Sequence, residues 1–227
     1  CFMKLFRKLL FLIILILIVL GVIGFTYYSM ALKEKPLLIR TSEVTKSEHY
    51  VPFNKLSKDY VNAVISVEDR RYYSHGAVDF WGIARAIWSN IKTGELQEGG
   101  STITQQVAKN IVFSQKDTWL RKLGEIFASY DLEKNFSKEE IFALYVNSAY
   151  FGDGYYGIYD ASIGYFNKDP QNLTLSEASM LAGIPNAPSV YAPTVNPDLA
   201  KKRQKHVLKT MVENGYITQE QSNAITK

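Results

Sequence analysis

Residues 99–110 read GGSTITQQVAKN: two glycines, a Ser-Thr pair, then a run suited to a helix. Ser101 and Thr102 carry side-chain oxygens that accept from the free amides of a helix start, so a helix is predicted from Ser101 onward. On it Thr102, Gln105 or Gln106, and Lys109 recur at spacings of three and four and share a face. A helix start with unpaired amides, and a lysine one to two turns along, attracts phosphate. A capped polar helix face without a ligand has the same pattern, and this stretch alone leaves both readings open.

The flanking segments add charge of the right kinds. Upstream, residues 67–79 (VEDRRYYSHGAVD) follow an apolar helix and set Glu68 and Asp69 beside Arg70, Arg71 and His75. A carboxylate at the dry end of an apolar helix has a raised pKa, which suits a general base near neutral pH. A solvated charged turn is the alternative. Downstream, RKLGE at 121–125 lies on a helix whose apolar face is Trp119, Leu123, Ile126, Phe127 and Tyr130, and Arg121, Lys122 and Glu125 lie off that face. Surface ion pairs worth about 0.3–0.5 kcal/mol each would account for them. The bases precede the acid, however, which is the weaker order for helix stability and favours a functional cluster.

From Leu56 the apolar residues recur at helical spacing, and Ser137-x-x-Glu140, Thr174-x-x-Glu177 and Thr218-x-x-Gln221 each fit a capping box. Helices are predicted over 57–67, 78–92, 101–113, 117–134, 138–147, 157–165, 174–183, 197–213 and 218–226. Strands do not alternate with these helices, so 56–227 reads as one mainly α domain. Residues 29–55, with Pro36 and Pro52, read as a linker holding one short strand at Pro36-Leu37-Leu38-Ile39. The loops at 93–100 and 147–157, and the turns around Pro185, Pro188, Pro193 and Pro197, are where such a domain exposes backbone to a ligand.

Residues 9–25, LLFLIILILIVLGVIGF, contain no polar side chain, and Tyr27 and Tyr28 follow at the place of an aromatic belt. Seventeen to twenty such residues cross roughly 30 Å of hydrocarbon, which predicts a transmembrane anchor over 9–28 behind a short N-terminus at 1–8. A cleaved signal peptide is the rival, since Ser29-Met30-Ala31 resembles a cleavage site, but the run exceeds the usual apolar region of roughly 7–15 residues. Lys4, Arg7 and Lys8 face Lys33, Lys35 and Arg40 across the run, so loop charge alone leaves orientation undecided. Of 227 residues, 47% are hydrophobic and 21% charged, which excludes disordered and collagen-like chains. The net charge of +4 is carried entirely by residues 1–35, so the remainder has no electrostatic footprint for nucleic acid. His49, His75 and His206 form no metal-ligand spacing, and there is no P-loop.

In order along residues 56–215, these segments resemble the five motifs of the peptidoglycan glycosyltransferases, glycosyltransferase family 51. Glu68, Asp69, Tyr72 and His75 match the first motif, residues 99–110 the second, and Arg121, Lys122 and Glu125 the third. KEEIFALYVN at 138–147 resembles the fourth, and Arg203 with Val207 and Leu208 the fifth. YFGDGYYGI at 150–158 and NAPSVYAP at 186–193 are similar to family sequence between motifs. Four positions depart from the pattern. Tyr72 stands where the family usually has Phe, Ala77 and Asn167 where it usually has Gly, and Asp117 where it often has Lys or Arg.

The resemblance implies a lysozyme-like, mainly α glycosyltransferase domain with a membrane-facing lobe, for which Phe80, Trp81, Ile83, Ile87, Trp88 and Ile91 supply an apolar surface. It implies lipid II and the growing glycan strand as substrates, and a single-pass membrane protein with its catalytic domain outside the cytoplasm. In the implied reaction Glu68 is the general base and Glu125 lies near the leaving group, positioning either a divalent cation or the basic residues. Ser101, Thr102, Gln105, Gln106, Lys109, Asn110, Arg121 and Lys122 would bind substrate and its pyrophosphate, with Asp69, His75, Asn147 and Arg203 in support. No cofactor is required by this resemblance, with magnesium or manganese the one candidate. The chain as read leaves no room for a transpeptidase after the fifth motif, which fits the monofunctional type and separate cross-linking partners. A lysozyme-like peptidoglycan hydrolase is the alternative, because two carboxylates flanking a sugar also describe inverting glycosidases. A catalytically silent anchored scaffold is a third reading, which loss of Glu68 or Glu125 would favour; both are present.

Overall fold

The computed structural model describes residues 2–93, 99–113 and 119–226, with the backbone alone at 2, 89, 90, 92 and 93. Among these residues the chain is helical and has no strand; two tyrosines, Tyr150 and Tyr156, form an isolated bridge. The longest helix is α1 (Phe2–Glu34), and α2 (Leu37–Thr45) follows directly. The domain continues with α3 (Lys58–Glu68), α4 (Phe80–Thr93), α5 (Ile103–Ile111) and α6 (Trp119–Asn135). After these come α7 (Lys138–Ser148), α8 (Ile158–Phe166), α9 (Leu175–Gly183) and the single turn α10 (Pro188–Tyr191). The last two helices are α11 (Pro197–Glu213) and α12 (Gln219–Thr226).

Side-chain caps set the helix starts. Ser137 with Glu140 and Thr174 with Glu177 form the predicted capping boxes, and Thr102 with Gln105 forms a further one. Gln221 accepts from the Thr218 amide in the same manner at α12. The hub is α7, whose residues Ile141 to Val146 are buried in an unbroken run. A helix apolar on every face belongs inside a bundle, and α5, α6, α2 and α8 pack around it. Asn147 closes the hub by exchanging two bonds of 2.8 Å with the backbone of Val51.

Residues 36–39 are not the expected strand: Pro36 ends α1 and begins α2. Proline lacks an amide hydrogen and fixes φ, which breaks the preceding helix and suits the start of the next. Arg40 on α2 then donates to the carbonyls of Lys35, Ala31 and Ile111. The residues predicted as a linker are thus packed structure, and α1 runs past the predicted anchor end at 28 to Glu34.

One described helix, spanning Met3–Glu34, is long and apolar enough to cross a membrane. A second apolar surface lies on α4, where Phe80, Trp81, Ile87, Trp88 and Ile91 point outward, Trp81 at 75% and Trp88 at 71% exposure. Ile83 turns inward instead, under Gly100. Large exposed apolar patches mark surfaces that contact a partner or a membrane.

Candidate active site

Glu68 is the last residue of α3, where an apolar helix delivers it to the interior with its side chain 10% exposed. The Gln106 side-chain amide donates to its Oε2 at 2.7 Å, and the Arg203 guanidinium lies 3.7 Å from Oε1. Burial pushes the carboxyl above its ordinary range; the Gln106 bond, Arg203 and Lys109 pull it back, and Asp69 adds to the rise. Its Oε1 is buried without a hydrogen-bond partner. A buried acceptor left unpaired costs stability, so the site is built to receive a donor there.

Asp69 faces the other way and ties the start of α5 to α3. Its Oδ2 accepts from the Ile103 amide at 3.0 Å and its Oδ1 meets His75 Nε2 at 2.6 Å. Burial lowers the imidazole pKa, but the Asp69 bond and charge outweigh it and raise it. Thr102 donates to the Ala77 carbonyl and is buried, as is Gln105 in the capping box. These two side chains are spent on holding α5, whereas Gln106, Lys109 and Asn110 line an open groove of about 340 Å³ with Tyr145, Tyr150, Tyr156 and Asn186.

In the third cluster Arg121 and Glu125 are buried, whereas Lys122 is exposed. Glu125 is 1% exposed; Arg121 meets its Oε1 at 2.5 Å and Lys122 its Oε2 at 2.7 Å. Lys122 also donates to Ser101 at 2.8 Å, which joins α6 to the loop before α5. Glu125 therefore organises two cations. Both its oxygens are occupied, so it does not fit a divalent cation without releasing one of them. Asp69, His75 and Asp79 are the described group with metal-ligand spacing, their ligand atoms within 4.8 Å of one another. Asp69 and His75 would likewise have to give up their mutual bond.

Asn147 lies away from this site, on the Val51 backbone, and supports the fold. Arg203 reaches it from α11, also donating to the Gly183 carbonyl at 3.4 Å and lying over the Tyr191 ring. Sequence reasoning did not single out Tyr145, Tyr150, Tyr156 or Asn186. The signal was the density of Gly, Tyr and Pro in their loops: Gly152, Asp153, Gly154 and Gly157 all have positive φ, and a Cβ at Gly157 would lie 3.1 Å from the Asn147 carbonyl.

The transglycosylase family model matches residues 35–212. The chain belongs to the transglycosylase family. Penicillin-binding protein 1A of Neisseria lactamica is 52% identical over 160 residues, 70% of this chain and 20% of that protein. Penicillin-binding protein 1F of Bacillus subtilis is 44% identical over 174 residues, 77% of this chain and 24% of that one. A crystal structure of penicillin-binding protein 1A from Haemophilus influenzae aligns over 55% of this chain and 15% of that chain, at 27% identity and a TM-score of 0.38. The chain thus spans about a fifth of the length of the curated relatives it matches first.

Three departures from the transglycosylase motifs have physical explanations. The Tyr72 hydroxyl donates to the Lys138 carbonyl at 2.6 Å, so the extra oxygen is satisfied in a fully buried site. Asn167 ends α8 in the left-handed region at φ 51°, which asparagine tolerates next best after glycine. Ala77 has no positive φ, so it has no need of a glycine. Asp117 lies outside the described residues.

Proposed function

We propose that the chain is a peptidoglycan glycosyltransferase that polymerises lipid II, with α1 as a single-pass anchor and the domain outside the cytoplasmic membrane. Glu68 accepts the proton of the acceptor GlcNAc 4-hydroxyl as that oxygen attacks the anomeric carbon of the donor MurNAc. The bond to the polyprenyl pyrophosphate breaks with inversion from α to β, and the pyrophosphate leaves with the bonding electrons. Lys109, Arg121 and Lys122 neutralise it, with Glu125 holding the last two in place; preset donors and cations at developing charge are usually the largest single catalytic effect. A magnesium or manganese ion would have to displace Arg121 or Lys122 from Glu125, or part Asp69 from His75, to be held by these carboxylates.

The observation that carries this reading is the pairing of a buried carboxylate of raised pKa, Glu68, with a groove that displays Lys109 beside Gln106. A hydrolase cutting an uncharged glycosidic bond has no use for that lysine or for the Arg121–Lys122–Glu125 cluster. The exposed α4 stripe fits a domain that works against a bilayer, where both substrates carry lipid chains. Separate transpeptidases would supply cross-links if the chain acts alone. Incubating the purified protein with labelled lipid II tests the assignment: glycan polymer supports it, and shortening of preformed glycan without polymer supports the hydrolase.

A further inference from the structure

The most extensive helix–helix contact among the described residues joins α1 to α6, far more than a tether requires. It is built on reciprocal glycines. A Cβ at Gly24 would lie 2.9 Å from Leu123 Cβ and 3.0 Å from the Phe127 ring, and one at Gly124 would lie 3.0 Å from the Tyr27 ring and 2.8 Å from Phe113. Phe25 meets Phe127 edge-on at 5.7 Å, and Tyr27 stacks on Phe113 at 5.5 Å. Tyr28 is buried and donates to Asp131 at 2.6 Å.

Depth follows from these contacts. Gly24 and Phe25 are the last residues of the apolar run, so in a spanning helix they lie at the edge of the hydrocarbon. Leu123 and Phe127 touch them and must lie at the same depth. Arg121, Lys122 and Glu125 share the same turns of α6, within about 5 Å along the axis, which puts their backbone at the edge of the hydrocarbon, from where long basic side chains reach the level of lipid phosphates. Trp119 and Tyr130 are exposed on α6, at 61% and 55%, as side chains of an interfacial belt are.

Resting on the glycosyltransferase reading above, we infer that Gly24 and Tyr28 are positioning residues: the anchor is a depth gauge that holds α6 and its cations at the height of the lipid-linked pyrophosphate. The apolar residues further back, 9–20, make no such contact and serve only to span.

The full chain in bilayers tests this with two readouts. Replacing Trp81 and Trp88 by Phe leaves Trp119 as the sole tryptophan, whose quenching by lipids brominated at different depths reports the position of α6. Strongest quenching by bromine nearest the headgroup is expected, with a changed depth profile in Gly24→Leu. With lipid II, Gly24→Leu should lower kcat by ~10- to 100-fold, as misplaced catalytic groups do, and the smaller Gly24→Ala should lower it less. Shuffling residues 9–20 among themselves should change neither readout. Unquenched Trp119, or Gly24→Leu with unaltered kcat and depth profile, overturns the inference. Inactivity of the parent chain on lipid II would instead overturn the glycosyltransferase reading, with the depth profile still deciding whether the anchor sets the height of α6.

Discussion

The Gln106 side-chain amide holds Glu68 at 2.7 Å from a helix 38 residues further along the chain. The bond favours the charged carboxylate, while burial favours the neutral acid, and the balance leaves the pKa raised. A carboxylate whose pKa is raised is the stronger base once ionised, which suits it to take a proton from a hydroxyl in the transition state.

Activity should therefore fall as pH drops through the raised Glu68 pKa, because the base must be ionised. Gln106→Leu removes a bond to the ionised form, so the acid limb of kcat/KM should move to higher pH. Lys109→Met should move it in the same direction. A pH–rate profile checks both; a shift to lower pH would contradict the assigned balance.

Glu68 also links activity to stability. Its folded pKa lies above the unfolded one, so its stabilising contribution is complete below the unfolded value and lost as pH rises through the folded value. Neutral pH lies above the unfolded value, so there the buried carboxyl costs stability, and Glu68→Gln should unfold at a higher denaturant midpoint, its unfolding free energy raised by the ~0.5–2 kcal/mol typical of a single stabilising change.

Glu125→Gln should behave in the opposite sense. It removes the charge that Glu125 sets against the buried Arg121, and removing one partner of a buried pair costs about 3–5 kcal/mol. Denaturant titration should show that loss. Lys122→Met removes the more exposed cation, so it should spare most of the stability and instead lower turnover of lipid II.

Asn147→Ala should lose about 1–3 kcal/mol from the orphaned Val51 backbone groups. The folded fraction should keep its KM for lipid II, which separates a supporting residue from the groove lysine Lys109.

Much of this was legible in local sequence. The capping residues Ser137, Thr174 and Thr102 act within three residues of themselves, and Glu68 stands at the end of a recognisable apolar helix. What stayed hidden depends on distant partners. Pro36-Leu37-Leu38-Ile39 is too short for any periodicity, and its helix is tied in by Arg40 reaching Ala31 and Ile111. Glu125 reads as a surface charge from its spacing, yet α1 and α5 packing on α6 bury it. The Tyr150 and Tyr156 rings, 4.6 Å apart, meet only because a positive-φ turn brings them together.

The most direct test compares the parent chain with Glu68→Gln in polymerising labelled lipid II, resolved on a gel. Glycan strands from the parent, and a rate at least ~100-fold lower in a fully folded Glu68→Gln protein, are expected for loss of a general base. Polymer made at an undiminished rate by Glu68→Gln would contradict the account.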